Sequence, residues 1–408
     1  MFWCRWEYKL SELSVKLKEF TNLKSGVKRL TLTDFRNYKS LRIESEIAPI
    51  VITGENGSGK TNILEAISFL TPGRGLRGAR LADIGRIRSF DEDINARTWS
   101  VAADILKNDE EHTIGTTLKS FSKEDDDEET LRSYDRRIVK IDQQKLTQQT
   151  ELGKYISAIW ITPQMDRLFL GGAQPRRSFL DRLVYAFDLE HAKRTANFEH
   201  LYRQWTTLIK SGCRDNLWLE SIEQDMSSLG VAIAATRREQ IARLNTFIEN
   251  EPDDIFPNVR LALDGTIEHM LDAESALRVE DFYAANLAKQ RKNVLYNDSV
   301  DGVNRTDFKV FFQKKGMPAE LCSTGEQKAL LVSIILAQTK CQILSKGFAP
   351  ILLLDEVATH LDNQKRDALL NKIRDLRLQA WITSTEPQNF EILRQDAQFF
   401  RLKDGNLF

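Results

Sequence analysis

From Val27 onward hydrophobic positions alternate with polar ones, through Leu30 and Leu32, and the alternation returns at Ser100 to Ile105 and Arg137 to Ile141. A period of two predicts strands with one buried face, here in an antiparallel sheet. Between those runs Ile50 to Thr53 reads as a strand and Asn62 to Leu70 as the helix after it, joined by a glycine-rich loop. Past the proline-bearing segment Ile161 to Met165 the pattern is helical for over a hundred residues. Phe198, Leu201, Trp205 and Leu208 keep heptad-like spacing, as do Leu219, Ile222, Met226, Leu229 and Ile233, with a turn at Ser211 to Asn216 between them. Two antiparallel helices are expected, forming a short arm, because the second series slips register after Ile233. Alternation resumes at Phe308, Val310 and Phe312, and further strands are expected at Ile351 to Leu354 and Trp381 to Thr383.

This order predicts an α/β protein: a nucleotide-binding head with a flanking antiparallel sheet, split by an inserted helical arm domain. The expected boundaries are an extension at 1–26, the first part of the head at 27–185, the arm at 186–300 and the second part of the head at 301–408. In the extension Leu10, Leu13, Leu17, Phe20 and Leu23 suit a short amphipathic helix, expected to lie outside the fold. The acidic run Lys123 to Glu129 reads as a solvated loop tip.

Composition narrows the function. Fifty-eight Lys and Arg against 59 Asp and Glu leave a net charge of −1, so any nucleic-acid contact must come from a local basic patch. Four scattered cysteines, with no C-x-x-C pair, argue against a zinc site or disulfide framework and fit a reducing cytoplasm. The longest apolar run, Ala329 to Ala337, is nine residues and contains Ser333, too short for a membrane helix.

The chemistry is concentrated in four segments. Gly54-Glu55-Asn56-Gly57-Ser58-Gly59-Lys60-Thr61 is a complete phosphate-binding loop in the strand–loop–helix setting that such a loop requires. Lys60 is expected at the β- and γ-phosphates of ATP and Thr61 at magnesium (Mg2+). Ile351 to Glu356 is a buried strand ending in two carboxylates, with Asp355 expected in the magnesium shell and Glu356 as general base or orienter of the attacking water. Gln164, just past the strand Ala158 to Ile161, is placed to join the metal. Ser323-Thr324-Gly325-Glu326-Gln327 opens a helix, with Ser323 as N-cap and Gly325 permitting close backbone approach. In company with the P-loop, this Ser-x-Gly-x-Gln element is expected to close over the ATP of a second copy, with His360 to Asp362 lining the same interface.

Phe35 to Tyr38 (FRNY), the P-loop, Gly73 to Arg77 (GRGLR), Pro175 to Arg182 (PRRSFLDR), STGEQKALL and LLLDEVATHLD together resemble the RecF family of the ABC/SMC ATPase group, from Val27 to the end. The resemblance implies an ABC/SMC-type P-loop head that binds ATP and DNA, single-stranded and duplex, with gap junctions as the expected target. It also implies dimerisation on ATP, slow hydrolysis, and work with RecR and RecO to load recombinase at single-strand gaps. Carried onto this chain, it assigns Arg36 and Asn37 to nucleotide phosphate or ribose, Gln164 to the metal, and Ser323 to the opposing γ-phosphate. The chain departs from the family at Gly302-Val303-Asn304-Arg305, which replaces Gly-Pro-His-Arg. It also lacks the switch histidine in Ile382 to Glu386, where Ser384 or Thr385 would substitute. For DNA the densest basic stretch holds Arg74, Arg77, Arg80, Arg86 and Arg88 against only Asp83, with Arg176 and Arg177 a second candidate.

Other classes fit less well. A transporter ATPase is opposed by about 160 residues between Gln164 and Ser323, and an ATPase–nuclease by the absence of a further acidic domain before Phe408. A structural SMC-like tether would need a longer arm.

Overall fold

The computed structural model describes residues 17, 19–20, 24–87, 98–123, 132–250, 255–296, 299–357, 361–403 and 405–408. The chain divides into two compact units, one of residues 1–165 with 339–408 and the other of residues 166–338.

The first unit holds two sheets and the helix between them. Strands β1 (Ser25–Phe35), β2 (Tyr38–Glu44), β4 (Ser100–Lys107), β5 (Glu110–Lys123), β6 (Arg132–Ile141) and β7 (Gln144–Lys145) form an antiparallel sheet in the order β2-β1-β4-β5-β6-β7. Strands β3 (Ile50–Gly54) and β8 (Ala158–Ile161), with β12 (Ile351–Asp355), β13 (Ala380–Ser384), β14 (Gln398–Lys403) and β15 (Asn406–Leu407), form the second, in the order β15-β14-β3-β13-β12-β8. That sheet is parallel except for the β14–β15 hairpin. Its central strands are buried except at Gly54, as a largely apolar run requires when both faces are covered. Helix α1 (Lys60–Ser68) buries Ile63, Leu64, Ala66 and Ile67 in a core shared with both sheets. Phe35 meets Phe69 and Trp99 edge-on there, with ring centroids 6.2 and 5.8 Å apart.

Three details differ from the sequence reading. The first strand begins at Ser25, two residues before Val27, because pairing with β4 runs back to Ser25 opposite Lys107. Gly26 belongs to the fold as well, since a Cβ there would lie 2.6 Å from Gln379 Oε1, which accepts from the Val27 N–H. In the expected outside extension Leu17 is buried, and Phe20 lies against Gly347. Strand β5 carries too many Thr, Gly and Lys residues for its alternation to show. The acidic run after Lys123 lies outside the described residues.

The second unit is the arm, together with segments that the sequence had assigned to the head. It comprises helices α2 (Ala173–Tyr185), α3 (His191–Lys210), α4 (Asn216–Asn250), α5 (Thr266–Ala273) and α6 (Ala276–Leu295). Strands β9 (Val259–Asp264), β10 (Asp307–Phe312) and β11 (Met317–Pro318) make a small antiparallel sheet ordered β11-β10-β9. The two heptad-like series form the α3–α4 pair, and Phe198, Trp205, Leu219, Ile222, Met226 and Ile233 are all in its core. The alternation at Phe308 to Phe312 is a strand, but its partner is β9, which holds it in this unit.

Helix α7 (Thr324–Lys346) is 23 residues long with a mean hydropathy of 1.2, enough by length and composition to cross a membrane. Yet 78% of that apolar window is buried in the fold, which makes it a core helix. Helix α8 (Asn363–Asp375) follows β12.

Arg176 and Arg177, the second expected DNA candidate, are corrected by the arm's packing. Arg176 is buried and donates Nε and Nη2 to the two carboxylate oxygens of Asp307 at 2.7 and 2.8 Å, while Arg177 donates to the Thr306 carbonyl at 2.8 Å. Asp181 of the same motif receives the Arg237 fork at 2.8 and 2.9 Å and lies 2.9 Å from His191 Nε2. Arg237 also donates to the Val303 carbonyl, in the segment that replaces Gly-Pro-His-Arg. The charges of PRRSFLDR are therefore spent inside the arm.

Candidate nucleotide-binding site

The P-loop leaves β3 at Gly54 and enters α1 at Lys60, with Gly57 and Gly59 at φ 79° and 110°. Only glycine takes such angles without strain. Gly59 is fixed for a second reason, since a Cβ would lie 2.6 Å from Asn37 Nδ2 and 2.7 Å from the Tyr38 hydroxyl. Those groups belong to the FRNY turn, which braces the loop from the antiparallel sheet. Asn37 Nδ2 donates to the Ser58 carbonyl at 3.3 Å, Tyr38 donates to the Gly59 carbonyl at 3.0 Å, and Asn62 Nδ2 donates to Asn37 Oδ1 at 2.7 Å.

Arg36, at φ 54°, grips Glu65 of α1 through Nε and Nη2 at 2.8 and 2.6 Å and gives Nη1 to the Asp83 carbonyl. Glu65 is fully buried and also receives Arg77 at 3.1 Å. Two guanidinium groups on one carboxylate leave an excess positive charge beside the P-loop. Glu65 was not singled out from the sequence, although a lone carboxylate on the apolar face of Asn62 to Leu70 was a readable signal. At the far end of α1 the buried Arg137 of β6 donates to the carbonyls of Phe69 and Gly73, with burial pushing its pKa down to about 10. This fixes the exit of α1 toward Arg74.

Lys60 is buried, and its ammonium donates to the Gly54 and Glu55 carbonyls at 2.7 and 2.9 Å. Burial lowers its pKa, opposed by the charges of Glu356 and Asp355. Thr61 Oγ1 reaches the Asp355 carboxylate oxygens at 2.8 and 3.1 Å. The strand between the P-loop strand and β12 is β13, whose register sets Thr383 opposite both Asp355 and Ile52. Thr383 donates to Asp355 Oδ1 at 2.7 Å and accepts from the Glu356 N–H at 3.1 Å. Glu356 sits at φ 50°, a left-handed conformation uncommon for a residue with a side chain, and this bond holds its backbone there. Thr383 is a residue that the sequence reading did not single out. Ser384 instead turns its hydroxyl to the Glu386 carbonyl, and Thr385 is exposed.

Gln164 is exposed in the short helix Pro163–Arg167, three residues past Ile161, which pairs with Leu354 just before Asp355. Glu55, Asn56 and Gly57 are exposed on the loop, while Ser58 Oγ is buried without a hydrogen-bond partner.

In the second unit Ser323 caps α7 through a reciprocal box. Its N–H and hydroxyl donate to Glu326 Oε2 at 2.9 and 3.0 Å, and the Glu326 N–H lies 3.4 Å from Ser323 Oγ. Lys315 pairs with Glu326 and, with those bonds, holds its pKa down to about 2. A Cβ at Gly325 would meet nothing within 4 Å, so the helix terminus is open there. Gln327 is turned inward, donating to the Cys322 carbonyl at 2.9 Å. His360 lies outside the described residues, and Asp362 is the N-cap of α8, accepting from the Lys365 N–H at 2.8 Å. Of the basic stretch, Arg77 is held by Glu65 and Arg86 by Asp34, while Arg74 and Arg80 are exposed with no ion pair among the described residues. Arg88 lies outside them.

The family model described as the RecF/RecN/SMC N terminal domain matches residues 26–406. The chain is 39% identical over 386 residues to the DNA replication and repair protein RecF of Agrobacterium fabrum, covering 94% of this chain and 98% of that protein. It is 40% identical over 387 residues to the protein of the same name from Rhizobium etli, covering 94% and 99%. Among solved structures it superposes on the recombination mediator protein RecF-ATPrS in the RecFOR pathway with a TM-score of 0.76, at 20% identity and covering 94% of this chain and 98% of that one. The RecF-ATP structure gives 0.74 at 21% identity, covering 95% and 99%. Over its P-loop, its split head and nearly its whole length, the chain belongs to the RecF family.

Proposed function

We propose that this chain is an ATP-dependent DNA-binding protein of replication and recombinational repair. In this reading it pairs with a second copy when ATP is bound, hydrolyses ATP slowly, and helps to load recombinase at single-strand gaps with the RecR and RecO partners that the family implies. The carrying observation is the convergence of Thr61, Asp355 and Thr383 beside a P-loop lysine that rests on two main-chain carbonyls. The relatives named DNA replication and repair proteins favour it over a transporter or nuclease ATPase.

The residues fit ATP with magnesium. Among the described residues the Lys60 ammonium has no carboxylate hydrogen-bonded to it and Ser58 Oγ is a buried polar atom without a partner, and a hydroxyl facing a carboxylate is the hard oxygen set that magnesium prefers. Thr61 and Asp355, with Gln164 nearby, would hold the metal, and Lys60 with the loop N–H groups would hold the phosphates. Bound ATP and magnesium would supply a cleavable phosphoanhydride and charge neutralisation. Within the chain, Thr383 fixes Asp355 and the Glu356 backbone, so that Glu356 can accept a proton from water or orient it. Arg36 and Asn37 frame the loop, and the N–H groups of Arg36 given neither to Glu65 nor to the Asp83 carbonyl would serve phosphate or ribose. Ser323 and Gly325 would act on the ATP of the partner copy, giving an isologous pair of sites.

Light scattering tests the composite site. Glu356→Gln with ATP should accumulate dimer because closure survives while hydrolysis slows, whereas Ser323→Arg should bind ATP as a monomer and lose both dimer and turnover. A Glu356→Gln protein that stays monomeric at micromolar concentration contradicts the reading.

A further inference from the structure

The outward face of the antiparallel sheet carries like charges directly opposite one another. Lys119 of β5 faces Arg136 of β6, and four residues further along β6, Lys140 faces Lys145 of β7. All four are exposed, while Arg137, Val139 and Ile141 point to the core. Like charges directly opposite destabilise a sheet, so the Lys140–Lys145 opposition works against the fold. Among the described residues Arg136, Lys140 and Lys145 make no ion pair. The acids on this face are engaged: Asp104 receives Arg29 at 2.7 Å, Glu44 receives Arg29 and Arg42, Glu111 pairs with Lys28, and Asp142 receives the Thr113 N–H at 2.8 Å and lies 2.9 Å from His112 Nδ1.

The positions beside the cations are small. Gly115 stands opposite both Lys140 and Ala102, and Thr117 opposite both Ile138 and Ser100. A Cβ at Gly115 would touch nothing within 4 Å. The surface is therefore flat and open beside the two cation pairs. At about 3.4 Å per residue, Arg136 and Lys140 stand about 14 Å apart along β6. That is close to the ~12 Å width of a B-form major groove, whose two rims are phosphate backbones.

We propose that this face is a docking surface for the phosphate backbone of duplex DNA, with Arg136 on one rim of a groove and the Lys140–Lys145 pair on the other. It rests on the DNA-binding reading above and adds to it a surface away from the Arg74 to Arg86 stretch. Recognition there is of charge and shape, since among the described residues the face offers no element that could enter a groove to read bases.

The test is fluorescence anisotropy of a labelled 30-base-pair duplex against the full chain with ATP and Mg2+, over a range of salt. The Arg136→Gln/Lys140→Gln/Lys145→Gln protein should bind at least tenfold more weakly at low salt. Its log–log salt slope should be shallower by about 2 to 3, near 0.9 for each phosphate no longer neutralised. Its thermal midpoint should equal or exceed that of the unaltered protein, because like-charge repulsion is relieved. Arg42→Gln, on the same sheet but paired with Glu44, should leave the slope unchanged. An unchanged affinity and slope in the triple variant, with duplex binding by the unaltered protein intact, overturns this surface alone. If the triple variant instead loses a poly-glutamate chain that the unaltered protein holds, the face serves an acidic protein and the DNA assignment falls. Absence of duplex binding by the unaltered protein removes this surface and the DNA-binding reading together.

Discussion

In the arm unit the buried Asp181 receives both arms of the Arg237 guanidinium and faces the His191 ring, and Glu223 is gripped by Arg291 and the Trp205 N–H. In the head unit, among the described residues, the buried Asp355 receives hydrogen bonds from two hydroxyls, of Thr61 and Thr383, and the buried Lys60 donates to two carbonyls. Both units carry ionised groups away from water, which is costly unless they are paired. The arm answers that cost with opposite charges inside the chain. The head gives its lysine and its aspartate neutral hydrogen-bond partners, with Asp355 and Glu356 acting on Lys60 through space, and a polyanion and a divalent cation could replace those partners. A motif rich in charge can thus be structural, as PRRSFLDR is, or ligand-directed, as GENGSGKT is, and the partners of its charges decide which.

The largest effect that would sharpen this contrast is expected at Asp181. Asp181→Asn removes the carboxylate that takes both arms of the buried Arg237, leaving it, among the described residues, only the Glu268 carboxylate at 3.7 Å, and should destabilise the arm by about 3–5 kcal/mol, read from the denaturant midpoint of its helical signal. Acid gives the same answer. Burial alone would raise the Asp181 pKa, but the Arg237 charge and the His191 and Arg237 hydrogen bonds hold it at about 2, below its ordinary 3.8. The folded value lies below the unfolded one, so this stabilisation is present above about pH 4 and drains away as pH falls toward 2. Arm unfolding that is flat across that window would contradict a stabilising Asp181–Arg237 pair.

Next in size is the head lysine. Lys60→Ala should change stability without nucleotide by less than about 1 kcal/mol, yet abolish the stabilisation that ATP gives the unaltered protein, about 2.7 kcal/mol at a hundredfold excess over Kd. A large loss of ligand-free stability would place Lys60 with the arm's structural charges.

Thr383→Val keeps shape and removes one hydroxyl. It should lower kcat about tenfold with little change in ATP affinity, and Thr383→Ser should restore most of it. Equal loss in both variants would mean that the methyl packing matters and the hydroxyl does not.

The smallest effect separates exposed from buried arginines. Arg74→Ala/Arg80→Ala should flatten the DNA salt slope by about 1.8, at 0.9 per phosphate, with the thermal midpoint unmoved. Arg176→Ala should do the reverse, lowering stability and sparing the slope.

The P-loop, the Asp355-Glu356 strand tip and the α3–α4 pair were legible in the chain because each rests on local chemistry: glycines at positive φ, an apolar run ended by carboxylates, heptad spacing. Strand β5 was not, since a face of Thr, Gly and Lys carries no hydrophobic alternation. The assignment of β10 to the head failed because alternation predicts a strand without naming its neighbour. Thr383 was hidden for a related reason. Nothing in Ile382 to Glu386 distinguishes it from Ser384 or Thr385, and only the parallel register of β12 and β13 sets its hydroxyl against Asp355. The fates of the arginines were likewise beyond the sequence, because Arg36 and Glu65, Arg77 and Glu65, and Arg176 and Asp307 are brought together only by folding. The chain by itself determined the chemical groups, their local geometry and the family. The tertiary structure decided which of those groups spend their charge on each other and which keep it for a ligand, because pairing across 12 to 131 residues of sequence is settled by packing alone.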